Sequence, residues 1–334
     1  MEYRSLGRSS VRVSALCLGC MNFGSRTDEA ESIRIIHAAI DAGINFIDTA
    51  DVYGRGVSET IVGKALADGA RRDGVVLATK VSSAMGDRPN DRSSSRYHIR
   101  DQVEASLRRL QTDRIDLYQL HVMDLTTPLE ESMRALDDLV RQGKVLYIGV
   151  SKWAPAWTVE AMMICESYGW TKILTEQPPY NLLDRRIENE LTWTCLRHGI
   201  GIIPWAPIAA GILSGKYVRQ GPQPAGSRFG ELGTRLTPAA LDRVDALRPL
   251  AEEKGACLAE LCLAWVLRQP GITAPIIGPR TMDHLASSLR ALDVTFSQDD
   301  FRRIDEICPP GSFVSNYFDC NTAAPLRKAA GFRS

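Results

Sequence analysis

The sequence lacks the features of a membrane protein or a nucleic-acid-binding protein. Its 334 residues include 40 basic and 40 acidic side chains, which cancel, so no overall positive field attracts nucleic acid or anionic lipid. No apolar run reaches the roughly 20 residues of a membrane span. The first ten residues contain no apolar signal-peptide core. We therefore expect a cytoplasmic protein with no nucleic-acid partner and no membrane partner.

Several cofactor and metal motifs are also missing. There is no Gly-x-Gly-x-x-Gly fingerprint and no Walker-type loop, which argues against a Rossmann dehydrogenase or a nucleotidase. No His, Cys and carboxylate cluster has metal-ligand spacing, so no metal site is expected. Cys17 and Cys20 form a CxxC, but neither a second pair nor a thioredoxin-like context accompanies it. We interpret the eight scattered cysteines as reduced thiols.

What the sequence does contain is an alternation of strand-like and helical segments along nearly its whole length. Short apolar runs predict eight strands, near 14–19, 45–48, 75–80, 115–121, 145–150, 172–177, 200–205 and 274–277. Helical periodicity lies between them, as in 31–42, 100–110 and 129–140. This repetition favours a (β/α)8 TIM barrel over a doubly wound sheet, which usually has fewer strands per domain. We expect one domain over residues 1–334.

Three segments depart from the alternation. The opening residues predict a β-hairpin that turns at Gly7–Arg8 and could close the lower end of the barrel. Residues 206–238, rich in Gly and Pro, predict a long insertion after the seventh strand; such insertions are usually lids, binding loops or disordered segments. The residues after Pro309–Pro310 show no clear periodicity. We expect this tail to cover the surface or the barrel mouth.

Four ionisable residues, called the quartet below, lie at or just beyond predicted strand ends: Asp48, Tyr53, Lys80 and His121. In a β/α barrel these ends face one side, so the four side chains would converge. A free tyrosine has a pKa of about 10 and is a poor acid at neutral pH. A nearby ammonium group lowers that pKa, and a carboxylate keeps the ammonium charged. The quartet therefore predicts that Tyr53 protonates a carbonyl oxygen oriented by His121, which requires a nicotinamide as hydride donor.

Each member of the quartet also has a structural interpretation when it is taken alone. Asp48 or Lys80 could belong to a surface ion pair, and His121 could be a hydrogen-bonded core residue. Their joint placement at consistent strand ends favours catalysis.

Four segments, in order, are GINFIDTADVYGRGVSETIVGKAL (43–66), ATK (78–80), YQLH (118–121) and GKVLYIGVSKW (143–153). Together they resemble the aldo-keto reductase superfamily, over about residues 2–309. The sequence is similar to a bacterial-type member related to the branch that includes potassium-channel β subunits. The quartet matches the family's catalytic tetrad residue for residue. The resemblance implies reversible reduction of an aldehyde or ketone to an alcohol with NADPH, which becomes NADP+.

The resemblance also implies which residues bind the cofactor across the barrel mouth. Trp205 falls where the family places an aromatic that stacks on the nicotinamide; alone, it would fit the core. Gln177 and Ser151 resemble residues that hydrogen-bond the carboxamide, and GILSGK (211–216) resembles the loop over the pyrophosphate. Arg280 is the candidate for the adenosine 2′-phosphate, although it would also fit a solvated helix start. The implied contacts are Met21, Asn22, Ser151, Gln177, Trp205, Ala206, Ile208, Gly211, Ser214, Lys216, Gly278, Arg280, His284 and Ser288.

Three positions depart from the family pattern. Lys152 stands where many members have the Asn of a GVSN motif. Ser288 replaces an Asn often found near the adenine, and His284 occupies a position often held by Arg. Arg280 is then the main basic residue for the 2′-phosphate, and we expect a preference for NADPH over NADH.

The substrate is expected to be a small-molecule carbonyl compound whose identity the sequence leaves open. Phe23 and Trp153 are predicted to line its pocket. Phe313, Tyr317 and Phe318 predict an apolar wall over the mouth, compatible with aromatic aldehydes, keto-sugars or polyketide-like ketones. GVSKW and the long insertion also resemble the channel β subunits, so a cofactor-binding, redox-sensing regulatory module with little turnover is the alternative. The oligomeric state stays open, and a homo-oligomer is compatible with the sequence.

Overall fold

The predicted (β/α)8 barrel is confirmed by a computed structural model, which describes residues 1–220, 222–224 and 226–318. The strands are β1 (Tyr3–Ser5), β2 (Arg12–Ser14), β3 (Cys17–Gly19), β4 (Phe46–Asp48), β5 (Val76–Val81), β6 (Ile115–Leu120), β7 (Val145–Ser151), β8 (Thr175–Gln177), β9 (Gly201–Ile202) and β10 (Ile276–Ile277). The last eight form one parallel sheet in the order β10-β3-β4-β5-β6-β7-β8-β9. A parallel bridge between Ile202 and Ile272 joins the β9 edge to the segment before β10.

Helices cover the outside of the sheet. They are α1 (Glu29–Asp41), α2 (Val57–Ala67), α3 (Arg96–Leu110), α4 (Leu129–Arg141), α5 (Pro155–Tyr168), α6 (Leu191–His198), α7 (Phe229–Leu232), α8 (Pro238–Glu253), α9 (Leu258–Leu267), α10 (Met282–Arg290) and α11 (Gln298–Ile307). Side-chain caps define several starts: Asp28 accepts from the Glu31 amide of α1 at 2.8 Å, and Ser95 accepts from the His98 amide of α3 at 3.3 Å. Among the described residues, no helix is long and apolar enough to cross a membrane.

The amino-terminal hairpin closes the lower end of the barrel, as predicted. β1 and β2 pair antiparallel, and Leu6 and Val13 are fully buried in a core cluster with Phe46. Gly7 has a φ of 53°, and a Cβ there would lie 2.5 Å from the Leu174 carbonyl oxygen. The turn therefore needs glycine, because a side chain would push the hairpin off the barrel.

The sheet separates two apolar clusters that hold the barrel together. Leu117 and Ile203 pack with the hairpin inside the barrel, whereas Leu77 and Ile148 pack outward against the helices. The CxxC cysteines lie on opposite sides of this division, with Cys17 in the inner cluster and Cys20 in the outer one. This alternation is what a strand imposes on neighbouring side chains.

Strand β9 is shorter than the predicted 200–205. Pro204 has no amide hydrogen and cannot continue a ladder on that side. Trp205 nevertheless continues the direction of β9. Its amide donates to the Pro178 carbonyl at 2.9 Å, and its carbonyl accepts from the Tyr180 amide at 3.2 Å.

In the described residues of 206–238, the insertion contains a 3-10 turn at Ala209–Ser214, helix α7 and a second 3-10 turn at Gly233–Arg235. The tail meets it at the barrel mouth, where the Ser315 hydroxyl donates to the Arg235 carbonyl at 2.6 Å. Both the Tyr317 and Phe318 amides donate to Asp184 at 2.7 Å. The rest of the predicted tail, residues 319–334, lies outside the described residues.

Candidate active site

The barrel brings the four side chains of the quartet together at the carboxyl ends of the strands. Asp48 ends β4, Lys80 lies in β5, and His121 directly follows β6. The Lys80 ammonium donates to Asp48 and lies 3.3 Å from the Tyr53 hydroxyl oxygen. The rings of Tyr53 and His121 meet edge to face, with centroids 5.7 Å apart. This arrangement has the geometry of a single acid–base site.

A strained turn carries Tyr53 into this site. The three residues after it, Gly54, Arg55 and Gly56, have φ values of 59°, 52° and 95°. A Cβ on Gly56 would lie 2.6 Å from the Arg109 side chain. Consecutive left-handed residues cost free energy unless the surroundings enforce them, and such strain is concentrated at functional sites.

Burial controls the charge of Lys80 and Tyr53. Burial lowers the pKa of Lys80, but Asp48 and Tyr53 outweigh it, so the net pKa lies above the ordinary value. Although part of Tyr53 faces the cavity, desolvation raises its pKa, and Lys80 lowers it by less. Burial, which the sequence did not reveal, therefore outweighs the expected lowering of the Tyr53 pKa by Lys80, and the net pKa is raised. Tyr53 is therefore a neutral phenol at neutral pH, and the Lys80 ammonium is the group that favours loss of its proton.

His121 is a neutral imidazole at neutral pH. Burial lowers its pKa well below the usual range, and the charges of Lys80 and Lys152 lower it further. One ring nitrogen, Nδ1, lies 3.3 Å from the Ser83 hydroxyl oxygen. The ring is thus placed to make hydrogen bonds without carrying a charge.

Two glutamines, one from β6 and one from β8, hydrogen-bond Asp48. Its Oδ2 atom accepts from the amide groups of Gln119 at 3.0 Å and Gln177 at 2.9 Å. Sequence reasoning missed Gln119, although it lies two residues before His121 and so shares its face of the strand. The side-chain amide of Gln177, which was expected to bind a carboxamide, donates to Asp48.

A cavity of about 530 Å³ opens above the quartet. Every cofactor contact implied by the sequence lines it, Met21 and Ser288 included. The two predicted substrate contacts do not: Phe23 is 0% exposed and Trp153 is 1% exposed, and both belong to the outer core. For Trp153 the direction of the loop explains this correction, because its amide donates to a carboxyl oxygen of the buried Glu176 at 3.2 Å and its ring is buried.

Residues that sequence reasoning missed line the cavity from the insertion. These are Arg228 and Arg235 of the insertion; Tyr317 of the tail, which was predicted, lines the cavity beside them. The Tyr317 ring meets Trp205 edge to face, at 6.1 Å between centroids. Phe313 and Phe318 instead lie against the Arg186 guanidinium, so the predicted apolar wall reduces to Tyr317.

Several cations lie close together around Lys216, which lines the cavity. Burial lowers the pKa of Lys216, as do the charges of Arg280, Arg228 and Arg26. Of the described residues that line the cavity, Asp48 alone carries a carboxylate, and Lys80 already pairs with it. An anionic ligand would relieve this mutual repulsion.

Contacts from the barrel hold the insertion over the cavity. Arg228 donates to the Asn22 side chain at 2.6 Å, and Asn22 donates in turn to the Gly278 carbonyl at 3.0 Å. Arg280 donates to the Gly226 carbonyl at 2.8 Å. An ion pair between Arg26 and Glu231 of α7 adds a third tie.

The insertion begins with an unusual backbone. Ala206, Ala209, Ala210 and Gly211 have φ values of 52°, 50°, 50° and 97°. A hypothetical Cβ on Gly211 would lie 3.2 Å from the Lys216 ammonium. Left-handed residues mixed with right-handed ones turn amide groups toward one side, which suits a phosphate.

The aldo/keto reductase family model matches residues 15–309. The chain belongs to this family. Over 322 residues it is 42% identical to the uncharacterized oxidoreductase YrpG of Bacillus subtilis (strain 168), covering 93% of this chain and 97% of that protein. It is 38% identical to a probable voltage-gated potassium channel subunit beta of Oryza sativa subsp. japonica, with 88% and 92% covered. It is 35% identical to a versiconal hemiacetal acetate reductase of Aspergillus parasiticus, with 92% and 96% covered.

As an aldo/keto reductase, the chain is an oxidoreductase of the carbonyl-reducing kind. The family generally uses a nicotinamide cofactor. Within this family, the quartet and the cavity above it form the candidate active site.

Proposed function

We propose that this aldo/keto reductase reduces an aldehyde or ketone with NADPH, and that Tyr53 is the general acid. The observation that carries the proposal is the buried chain Asp48–Lys80–Tyr53 at the cavity floor, in which Lys80 Nζ lies 3.3 Å from Tyr53 Oη. Bound NADPH would supply a hydride to the carbonyl carbon. The protein would supply the proton that the carbonyl oxygen also needs.

The quartet can provide that proton without a charge being left unbalanced. As the carbonyl oxygen becomes an alkoxide, Tyr53 transfers its phenolic proton to it. Lys80 then stabilises the phenolate, and Asp48 keeps Lys80 charged. A neutral His121 would donate a hydrogen bond to the same oxygen and fix its position.

The crowding of cations supports NADPH as the cofactor. Burial lowers the pKa of both Lys216 and Arg228, and the charges of Arg26 and Arg280 lower both further. A pyrophosphate over the turned backbone at 206–211 and a 2′-phosphate near Arg280 would neutralise them. NADH lacks the 2′-phosphate and would leave part of this repulsion in place.

Replacing Tyr53 by Phe tests the acid assignment. We expect Tyr53→Phe to lose turnover by about 10²–10⁴-fold, the usual contribution of a general acid, while NADPH binding, followed by fluorescence quenching, is unchanged. Tyr97→Phe is the matched control, because Tyr97 is 62% exposed on α3. Near-normal turnover in Tyr53→Phe would remove Tyr53 from the mechanism.

The cofactor assignment is tested by oxidation of NADPH and NADH across a panel of aldehydes and ketones. The panel includes aromatic aldehydes, keto-sugars and polyketide-like ketones, so it also narrows the substrate class. We expect a higher kcat/KM with NADPH. A clear preference for NADH would contradict the role of Arg280.

A second candidate function is that of a regulatory subunit that retains its cofactor with little turnover. Two observations favour it: the 38% identity to a protein named as a probable channel β subunit, and the three ties that hold the insertion over the cavity. Retention of NADP+ through gel filtration, with negligible NADPH oxidation across the panel, would select this function over catalysis.

We propose further that residues 1–334 form a single domain, that the protein is cytoplasmic, and that its main partner is a small-molecule carbonyl substrate. A homo-oligomer is compatible with the sequence. Sedimentation of the purified chain tests the oligomeric state.

A further inference from the structure

We propose that Ser83 is a positioning residue that sets the tautomer of His121, so that the ring presents its N–H at Nε2 to the carbonyl oxygen. The use of this N–H rests on the proposed function. The tautomer itself is a property of the free protein and can be measured without turnover.

The contact that carries the inference is between two side chains from neighbouring strand ends. The Ser83 hydroxyl oxygen lies 3.3 Å from His121 Nδ1. Ser83 follows β5 and His121 follows β6, and the His121 amide donates to the Val81 carbonyl at 2.8 Å. The backbone and side-chain contacts together fix the distance between the two residues.

A neutral imidazole carries one hydrogen, and the hydrogen bond at one nitrogen decides which nitrogen holds it. Burial, and then the charges of Lys80 and Lys152, lower the pKa of His121 and keep this ring neutral, so the choice of tautomer matters. When the Ser83 hydroxyl donates to Nδ1, the hydrogen must lie on Nε2.

The opposite arrangement would work against the proposed reaction. If Nδ1–H donated to Ser83, the lone pair of Nε2 would face the cavity. A carbonyl oxygen that accepts the Tyr53 proton would then meet that lone pair and be repelled. Donation by Ser83 makes both Tyr53 and His121 donors toward one oxygen.

The loop that carries Ser83 is strained at the residue before it and is tied to a second segment. Ser82 and Ser93 have φ values of 100° and 112°, which residues other than glycine rarely adopt. The Ser82 and Ser94 hydroxyls are bonded at 2.9 Å, and the Ser93 amide donates to the Ser82 carbonyl at 3.2 Å. Asp124 accepts from the Ser94 amide at 2.8 Å. Strain of this kind persists where the surroundings enforce it, and it is concentrated at functional sites.

The test is ¹⁵N NMR of the histidine rings in the wild type, Ser83→Ala and Ser83→Thr. Five histidines give a readable spectrum, and a His121→Gln variant assigns the signal. We expect the wild type to hold the Nε2–H tautomer, Ser83→Ala to give a mixture, and Ser83→Thr to restore the wild-type signal. If Ser83 merely supported the loop, Ser83→Ala would leave the tautomer of His121 unchanged, and Ser83→Thr would have nothing to restore.

Kinetics supply the second readout. Loss of one hydrogen bond to the ring should lower kcat of Ser83→Ala by about 3- to 10-fold, with the KM for NADPH unchanged and Ser83→Thr close to wild type. A wild-type ring with its hydrogen on Nδ1, or a Ser83→Ala ring with an unchanged tautomer, would overturn the inference. If Tyr53→Phe keeps its turnover while the NMR result holds, the proposed function fails and the tautomer assignment stands.

Discussion

Asp51 should make the protein less stable as the pH rises, and Asp51→Asn should remove that effect. The residue lies between β4 and Tyr53 and is 0% exposed. Neither carboxyl oxygen makes a hydrogen bond of normal geometry within the described residues. Burial, with the negative charge of Glu59, raises the pKa of Asp51 to about 8, against smaller opposing effects of the Val52 amide, Arg109 and Lys80.

The sign and size follow from proton linkage. In the unfolded chain Asp51 titrates near its usual pKa of about 3.9, so between about pH 4 and pH 8 the unfolded state binds fewer protons than the folded one. The free energy of unfolding therefore falls by about 1.4 kcal/mol per pH unit over that window and is level above it. The accumulated loss is about 1.5 kcal/mol at pH 5 and about 4 kcal/mol at pH 7, taken as upper bounds.

Asparagine has nearly the same shape and does not titrate, so Asp51→Asn should gain stability over the wild type as the pH rises from 5 to 7. The assay is urea unfolding followed by tryptophan fluorescence at several pH values. Asp87→Asn, a substitution of an exposed carboxylate, is the matched control and should leave the slope with pH unchanged. If the free energies of wild type and Asp51→Asn fall in parallel, the carboxyl group is not held neutral and the reasoning is refuted.

Two further predictions concern the site itself. Lys80→Met should abolish turnover and lower the free energy of unfolding in urea by about 3–5 kcal/mol, because it leaves the buried Asp48 carboxylate unpaired. The double variant with Asp48→Asn should recover most of the lost stability. No recovery of stability would mean that Lys80 and Asp48 are not coupled. Arg228→Ala should raise the KM for NADPH by about tenfold, as expected for the loss of a charged hydrogen bond. Arg302→Ala, whose side chain is 63% exposed on α11, should leave KM unchanged; an equal rise in both variants would dissociate Arg228 from the cofactor site.

The convergence of the quartet could be predicted from the sequence because strand periodicity and barrel topology determine it. Asp48, Lys80 and His121 each mark the carboxyl end of an apolar run, and a parallel barrel sends all such ends to one side. The direction of the Tyr53 pKa could not be predicted, because it depends on how many protein atoms surround the phenol. Spacing along the chain does not report that number.

The sequence also failed to predict which loop residues line the cavity. Phe23 and Trp153 are the right kind of residue for a substrate pocket, but irregular backbone turns both rings into the core. Arg228 was missed for the same reason, since its place at the cavity depends on contact with Asn22, 206 positions away in the chain. Such long-range contacts leave no local pattern in the sequence.

The hairpin below the barrel bears on how this protein can evolve. Leu6 and Val13 seal the interior at the end opposite the quartet, so the inner cluster does not depend on the mouth loops for its cover. Exposed positions of the insertion and the tail can therefore accumulate substitutions that change which carbonyl compound enters, whereas Ile212 and Leu213 of the insertion are buried in the outer core. Relatives with different substrates would then differ most above the quartet and least around Gly7, where the turn leaves no room for a side chain.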